Sequence, residues 1–166
     1  MATVTLKGTE CHTNGELPKI GDIAPTIKLT DGDLAEVTLD NFANKKKLLN
    51  IVPSLDTDVC QISTKKFNEY ATGKSDIAVL TISADLPFAQ SRFCSTEKLT
   101  NVITLSMMRS RKFAKDYGVL LEDGPLAGIT TRAVVILDAN NKVLYTELVP
   151  DITQEPNYDA AMKALS

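Results

Sequence analysis

Three short runs carry almost nothing but apolar and β-branched residues, and they constrain the fold more than any other feature of the chain. They are Lys47-Leu48-Leu49-Asn50-Ile51-Val52, Ile77 to Ser83, and Ala133-Val134-Val135-Ile136-Leu137. A strand with one wet face alternates apolar and polar residues, whereas a strand covered on both faces does not. These runs therefore predict interior strands of a sheet that has layers packed on both sides.

Helical stretches lie between them. One starts near Cys60, with Ile62, Phe67, Tyr70 and Ala71 at loose helical spacing and Gly73 as its stop. Pro87 opens a second, which runs to about Cys94. Arg111 to Tyr117, ending at Gly118, is a third, and Pro156 to Leu165 is a fourth with Tyr158, Ala161, Met162 and Leu165 as its apolar stripe. Asp138-Ala139-Asn140-Asn141 has turn chemistry, so Lys142 to Val149 returns as a hairpin partner. At the other end, Thr3 to Leu6, the turn Lys7-Gly8 and Thr9 to Thr13 form a small hairpin. Pro18 to Pro25 reads as loop and Thr26 to Thr30 as a short strand. The order points to the α/β class: a thioredoxin-like fold, with a mixed β-sheet flanked by helices and an N-terminal β-hairpin. No repeat or long linker interrupts it, so residues 1–166 read as one domain.

Composition excludes several classes. The chain has 18 basic and 21 acidic side chains, a net charge of −3, which lacks the basic excess of a nucleic-acid binder. No apolar run approaches the length of a membrane span, and Met1 to Gly8 lacks the layout of a secretory signal. A cytoplasmic protein is the expectation. The cysteines are Cys11, Cys60 and Cys94, an odd number with no CxxC pair. A disulfide scaffold or a zinc site is a poor fit, and reactive or inert thiols remain.

Among the three, Cys60 has the most informative surroundings. A buried strand ends at Val52, Pro53 stops ladder pairing, a polar loop follows, and Cys60 falls at a helix start. Active sites of open α/β sheets lie outside the carboxyl ends of strands. A helix N-terminus also favours a thiolate. A free thiol with pKa about 8.5 is about 3% ionised at neutral pH, so full ionisation raises the reactive fraction only about 30-fold. Effective catalysis would need donors for the transition state as well. Thr57, three residues before Cys60, has a hydroxyl that could face sulfur and substrate, and an arginine is the other expected donor. From the residues alone, Cys60 is either a reactive thiol or a small buried side chain.

Pro53-x-x-x-Thr57-x-x-Cys60 resembles the active-site signature of the peroxiredoxins. The block Ser83-Ala84-Asp85-Leu86-Pro87-Phe88-Ala89-Gln90-Ser91-Arg92-Phe93-Cys94 is similar to the thiol peroxidase subfamily, the atypical two-cysteine peroxiredoxins of bacteria. So are Asn101 to Ser106, Asp123 to Leu126 and Arg132 to Val135, and the likeness covers essentially the whole chain. The resemblance implies that Cys60 is the peroxidatic cysteine and Cys94 the resolving one. It implies that Thr57 orients the peroxide and hydrogen-bonds the sulfur, that Pro53 shields the oxidised sulfur, and that Arg132 stabilises thiolate and transition state. It further implies reduction of hydrogen peroxide and alkyl hydroperoxides, no metal, haem or flavin cofactor, thioredoxin as reductant, and a homodimer.

Other residues have plainer readings. Leu55, Val59, Leu86 and Phe88 are expected to line the mouth of the site. Cys11 is expected to be a bystander and His12 a loop residue. Arg92, Arg109 and Arg111 compete with Arg132 but suit surface or interface charge, and Lys45-Lys46-Lys47 suits a solvated turn. A general disulfide oxidoreductase would need a close cysteine pair, which is lacking. A redox sensor or holdase switched by the same disulfide is the remaining alternative.

Overall fold

The computed structural model describes residues 1–166. A hairpin of β1 (Thr3–Leu6) and β2 (Thr9–His12) opens the chain. Lys7 and Gly8 both have positive φ, 51° and 85°, as a tight two-residue hairpin turn requires. Then follow β3 (Leu29–Thr30), β4 (Glu36–Val37), β5 (Lys46–Ile51), α1 (Asp58–Ala71), β6 (Ile77–Ser83), α2 (Pro87–Glu97) and β7 (Val102–Ser106). The chain closes with α3 (Lys112–Asp116), β8 (Ala133–Leu137), β9 (Val143–Leu148) and α4 (Tyr158–Leu165).

The main sheet has strand order β4-β3-β7-β6-β5-β8-β9. Strands β5, β6 and β7 run parallel, while β8 lies antiparallel to β5 and β9 antiparallel to β8. The three apolar runs are thus β5, β6 and β8, adjacent at the centre. Alternation along them divides the core. Leu49, Ile51, Leu80, Ile82 and Val135 pack on one face with Phe113 and Tyr117. Leu48, Val79, Val134 and Ile136 pack on the other with Phe67 of α1 and Leu165 of α4. In that first layer the buried Tyr117 hydroxyl donates to the Pro25 carbonyl at 2.7 Å.

Four expectations need correction. The strand expected over Thr26 to Thr30 is confined to Leu29–Thr30, which pairs with β4 and touches β7 only at Ser106. Helix α2 continues past Cys94 to Glu97 and ends where Lys98 turns left-handed, with φ 56°. His12 lies in β2, not in a loop, and its Nδ1 is 2.7 Å from Asp123 Oδ2. The lysine triplet is not a solvated turn: Lys46 and Lys47 open β5, and Lys47 is fully buried. Its Nζ donates to Asn141 Oδ1 at 2.7 Å and to the Ala139 carbonyl at 3.2 Å. Burial pushes the Lys47 pKa down, opposed by Asp138 and Asp40.

Candidate active site

The site forms where β5 hands the chain to α1. Val52 and Pro53 are buried, the loop through Asp56 and Thr57 is exposed, and Cys60 sits in the first turn of α1 with no exposed surface. Thr57 is the N-cap in extended conformation, so the amides of Asp58, Val59 and Cys60 open the helix without intrahelical acceptors. The Cys60 side chain packs with Val52 and Leu55, and Phe93 of α2 closes over that small cluster. Behind it, the Cys60 carbonyl accepts from Ser63 Oγ at 3.1 Å and from Thr64 Oγ1 at 2.7 Å, which ties the first turn to the next.

Strand β8 supplies the cation. The antiparallel register pairs Ile51 with Ala133, and so sets Arg132 beside the strand exit that leads to Cys60. Arg132 is 2% exposed, and its Nη2 donates to Cys60 Sγ at 3.2 Å. Its Nε donates to the Ile152 carbonyl at 2.9 Å, which fixes the plane of the guanidinium. Its Nη1 is buried without a partner. A buried donor without an acceptor is costly, so an oxygen-bearing ligand reaching Nη1 would be favoured. Thr130 Oγ1 donates to the Val52 carbonyl at 2.8 Å and braces the same junction.

A cleft of about 630 Å³ opens over this arginine, walled by Pro53, Thr57, Val59, Ile129, Arg132 and Ile152. The Thr57 hydroxyl donates to the Ser54 carbonyl at 3.0 Å and makes no bond to sulfur here. Its oxygen keeps lone pairs free to accept from a ligand. The four apolar residues expected at the mouth separate: Val59 lines the arginine cleft, while Leu55, largely buried, edges a neighbouring cleft with Leu86 and Phe88. Leu86 and Phe88 are 53% and 64% exposed along this cleft of about 660 Å³ by α2. The two clefts share Asp56.

Cys94 belongs to a different environment. It is half-buried on α2 and packs against the cluster shared by α1 and α4. Burial pushes its thiol pKa up, and a hydrogen bond with Thr104 of β7 works in the opposite direction. All three cysteines are free thiols. Cys11 belongs to another cluster, with Val4, Leu121 and Ile152, close against Gly124, where a Cβ would come within 2.8 Å of its sulfur.

The competing arginines touch no cysteine. Arg109 donates to the Leu34 carbonyl, Arg111 to the carbonyls of Gly128 and Met107, and Arg92 edges the α2 cleft. No group of three or more His, Cys, Asp or Glu side chains is placed to hold a metal. No helix is long and apolar enough to cross a membrane. Three supporting groups escaped the reading of the sequence. The Ile152 carbonyl and Thr130 carry no local signal, and Asp85 lies within a quoted block without an assigned role.

Comparison with known proteins fits this arrangement. A family model described as Redoxin matches residues 19–162. Curated thiol peroxidases of Mycobacterium bovis and Mycobacterium tuberculosis are each 51% identical over 165 residues, 99% of this chain and 99% of theirs. A peroxiredoxin-like protein from Aquifex aeolicus superposes with a TM-score of 0.93 at 44% identity, over 99% of this chain and 96% of its own. A thiol peroxidase from Chromobacterium violaceum gives 0.91 at 28% identity, over 98% and 94%. The chain belongs to the redoxin family. Within it, the activity is that of a peroxiredoxin-type peroxidase.

Proposed function

We propose that the protein reduces hydrogen peroxide and alkyl hydroperoxides to water and alcohols through Cys60, and that Cys94 and thioredoxin complete the cycle. The observation that carries this reading is the 3.2 Å hydrogen bond from buried Arg132 to the Cys60 sulfur. A guanidinium holds its charge at every working pH and can donate along two edges. One edge meets the sulfur and another, Nη1, is unpaired at the same place.

In the first step the Cys60 thiolate attacks the near oxygen of the hydroperoxide. An S–O bond forms and the O–O bond breaks. The departing alkoxide or hydroxide takes a proton, and Cys60 becomes a sulfenic acid. Arg132 and the open amides of the first α1 turn face the charge that spreads over the two oxygens. Thr57 Oγ1 accepts a hydrogen bond from the peroxide O–H and so orients it, and Pro53 screens the oxidised sulfur. For larger substrates the apolar surface on offer is Val59 at the arginine cleft, and Leu86 and Phe88 beside the edge of Leu55 in the cleft beyond Asp56.

In the second step the Cys94 sulfur attacks the Cys60 sulfur and water leaves. The two thiols occupy separate clusters, and a disulfide needs Cα atoms within about 7 Å. The first turn of α1 and part of α2 therefore unwind. Thioredoxin then reduces the bond by thiol exchange. Cytoplasmic residence and a homodimer belong to the same reading.

The test is peroxide consumption coupled to a thioredoxin system. Cys60→Ser should abolish turnover, and Cys94→Ser should react once and then fail to recycle. Peptide mass spectrometry after peroxide treatment should find Cys60 joined to Cys94 within one chain. A Cys11–Cys60 link, or a bond between two subunits, would overturn the assignment of Cys94.

A further inference from the structure

The segment from Pro53 to Thr57 walls the cleft and sets the start of α1, yet it has few ties. Within it, the Asp56 amide donates to Ser54 Oγ and Thr57 Oγ1 to the Ser54 carbonyl. Beyond it, apart from the helix that continues from Thr57, its hydrogen bonds go to a single side chain, Asp85. Ser54 Oγ donates to Asp85 Oδ1 at 2.7 Å, and the Leu55 amide donates to Oδ2 at 2.7 Å.

The same carboxylate is held from below. Ser83 Oγ, at the end of β6, donates to Oδ2 at 2.7 Å, and Gln90 Nε2 of α2 donates to Ser83 Oγ at 3.0 Å. Ser106 Oγ, at the end of β7, donates to the Asp85 carbonyl at 2.5 Å. Asp85 thus joins the Cys60 loop, the ends of two central strands, and the lead into α2. Two residues later Pro87 opens the helix that carries Cys94. Three short bonds, from Ser54 Oγ, the Leu55 amide and Ser83 Oγ, converge on this one carboxylate. A loop held at one point is also released by losing that point.

We propose that Asp85 is a positioning residue for both half-reactions. Its carboxylate clamps the Cys60 loop in the geometry that meets peroxide, and the loosening of that clamp precedes the approach of Cys94. The inference rests on the two-cysteine cycle proposed above. While the clamp is closed, Leu55 stays packed on Cys60 and the sulfur stays beside Arg132. Once Ser54 and Leu55 let go, the first turn of α1 loses its anchor, and the lead into α2 is freed at the same moment. The clamp therefore favours oxidation and opposes disulfide closure, two effects of opposite sign from one group. A residue that only stabilised the fold would not separate the two rates in the folded protein.

The experiment uses the full chain, reduced, with hydrogen peroxide in rapid-mixing assays. Sulfenic acid formation is followed in a Cys94→Ser background by dimedone labelling. Disulfide closure is followed by quench and peptide mass spectrometry with Cys94 present. Asp85→Ala should slow oxidation about tenfold, in line with the loss of charge-assisted bonds, and should speed closure. Ser54→Ala removes one donor and leaves the core alone, so it keeps the test alive if Asp85→Ala folds poorly. It should shift both rates in the same two directions, by about threefold. Unchanged oxidation, or closure that holds or slows, overturns the clamp. A parent protein that forms no Cys60–Cys94 bond overturns the cycle itself, and closure control with it. A parent that closes the bond while both variants match it overturns the clamp alone.

Discussion

Arg132 and Cys60 are 72 positions apart, yet the guanidinium donates to the sulfur at 3.2 Å, both side chains being buried. The same side chain is pinned from behind by the Ile152 carbonyl. It therefore arrives pre-oriented, with no reorganisation left for the moment of reaction.

Replacing Arg132 should cost most of the peroxidase rate. Arg132→Met removes both edges of the donor and should lower kcat/KM by about 10²-fold or more. Arg132→Lys keeps the charge but cannot serve Ile152 and the sulfur together, so it should recover only part of the loss. Steady-state kinetics with saturating reductant checks both, and an Arg132→Met enzyme at full rate would remove the arginine from the chemistry.

Disulfide closure should accelerate with pH above the ordinary thiol range. Burial raises the Cys94 pKa, so the neutral thiol dominates near neutrality and the attacking thiolate is scarce. The Thr104 hydrogen bond lowers that pKa, so Thr104→Val should move the rise to still higher pH. Rapid-quench measurement of the Cys60–Cys94 bond from pH 7 to pH 10 reads this. A flat profile would contradict it.

Acid should weaken the wall of the cleft through Asp151. This carboxylate accepts from Thr153, Thr5 and Gly8, so it joins the hairpin turn to the segment that presents the Ile152 carbonyl to Arg132. Those bonds hold it well below the usual carboxylate range. A depressed folded pKa contributes stability above the unfolded value, about 3.9, and loses it as pH falls through the folded value. Asp151→Asn should thus unfold at lower urea than the parent at pH 7, and the gap should shrink toward pH 2. A gap that stays constant with pH would exclude the ionised carboxylate as its source.

Oxidation should not stabilise the protein. A permanent bond closing a loop of about 35 residues would add about 4 kcal/mol in the chain-entropy model. Here the free thiols sit in separate packed clusters, so joining them dismantles helix and core. Calorimetry should find the reduced form melting at or above the oxidised form. An oxidised form several degrees more stable would mark the bond as structural.

The parts of the fold that sequence made legible were those whose side chains met one kind of surroundings. Strands β5, β6 and β8 are buried on both faces and are written as nearly continuous apolar runs. Strand β7 lies farther out, meeting β3 only at Ser106, and did not stand out. Its pattern is mixed: Val102, Leu105 and Ser106 are buried, Ser106 Oγ donating to the Asp85 carbonyl, while Ile103 is exposed and Thr104 half-buried. Lys47 misled for a related reason: a lysine reads as surface unless its acceptors, Ala139 and Asn141, are known to be there.

The local half of the site follows from the chain order alone. A buried strand, a proline, a short polar loop and a helix must leave Cys60 at a helix N-terminus, because each step depends only on neighbouring residues. The distant half was decided by tertiary structure. Only the antiparallel seating of β8 on β5 brings Arg132 to the sulfur, and only tertiary packing puts Cys94 in a different cluster from Cys60. Contacts between segments far apart in sequence leave no periodic trace in either one, so register and packing had to supply them.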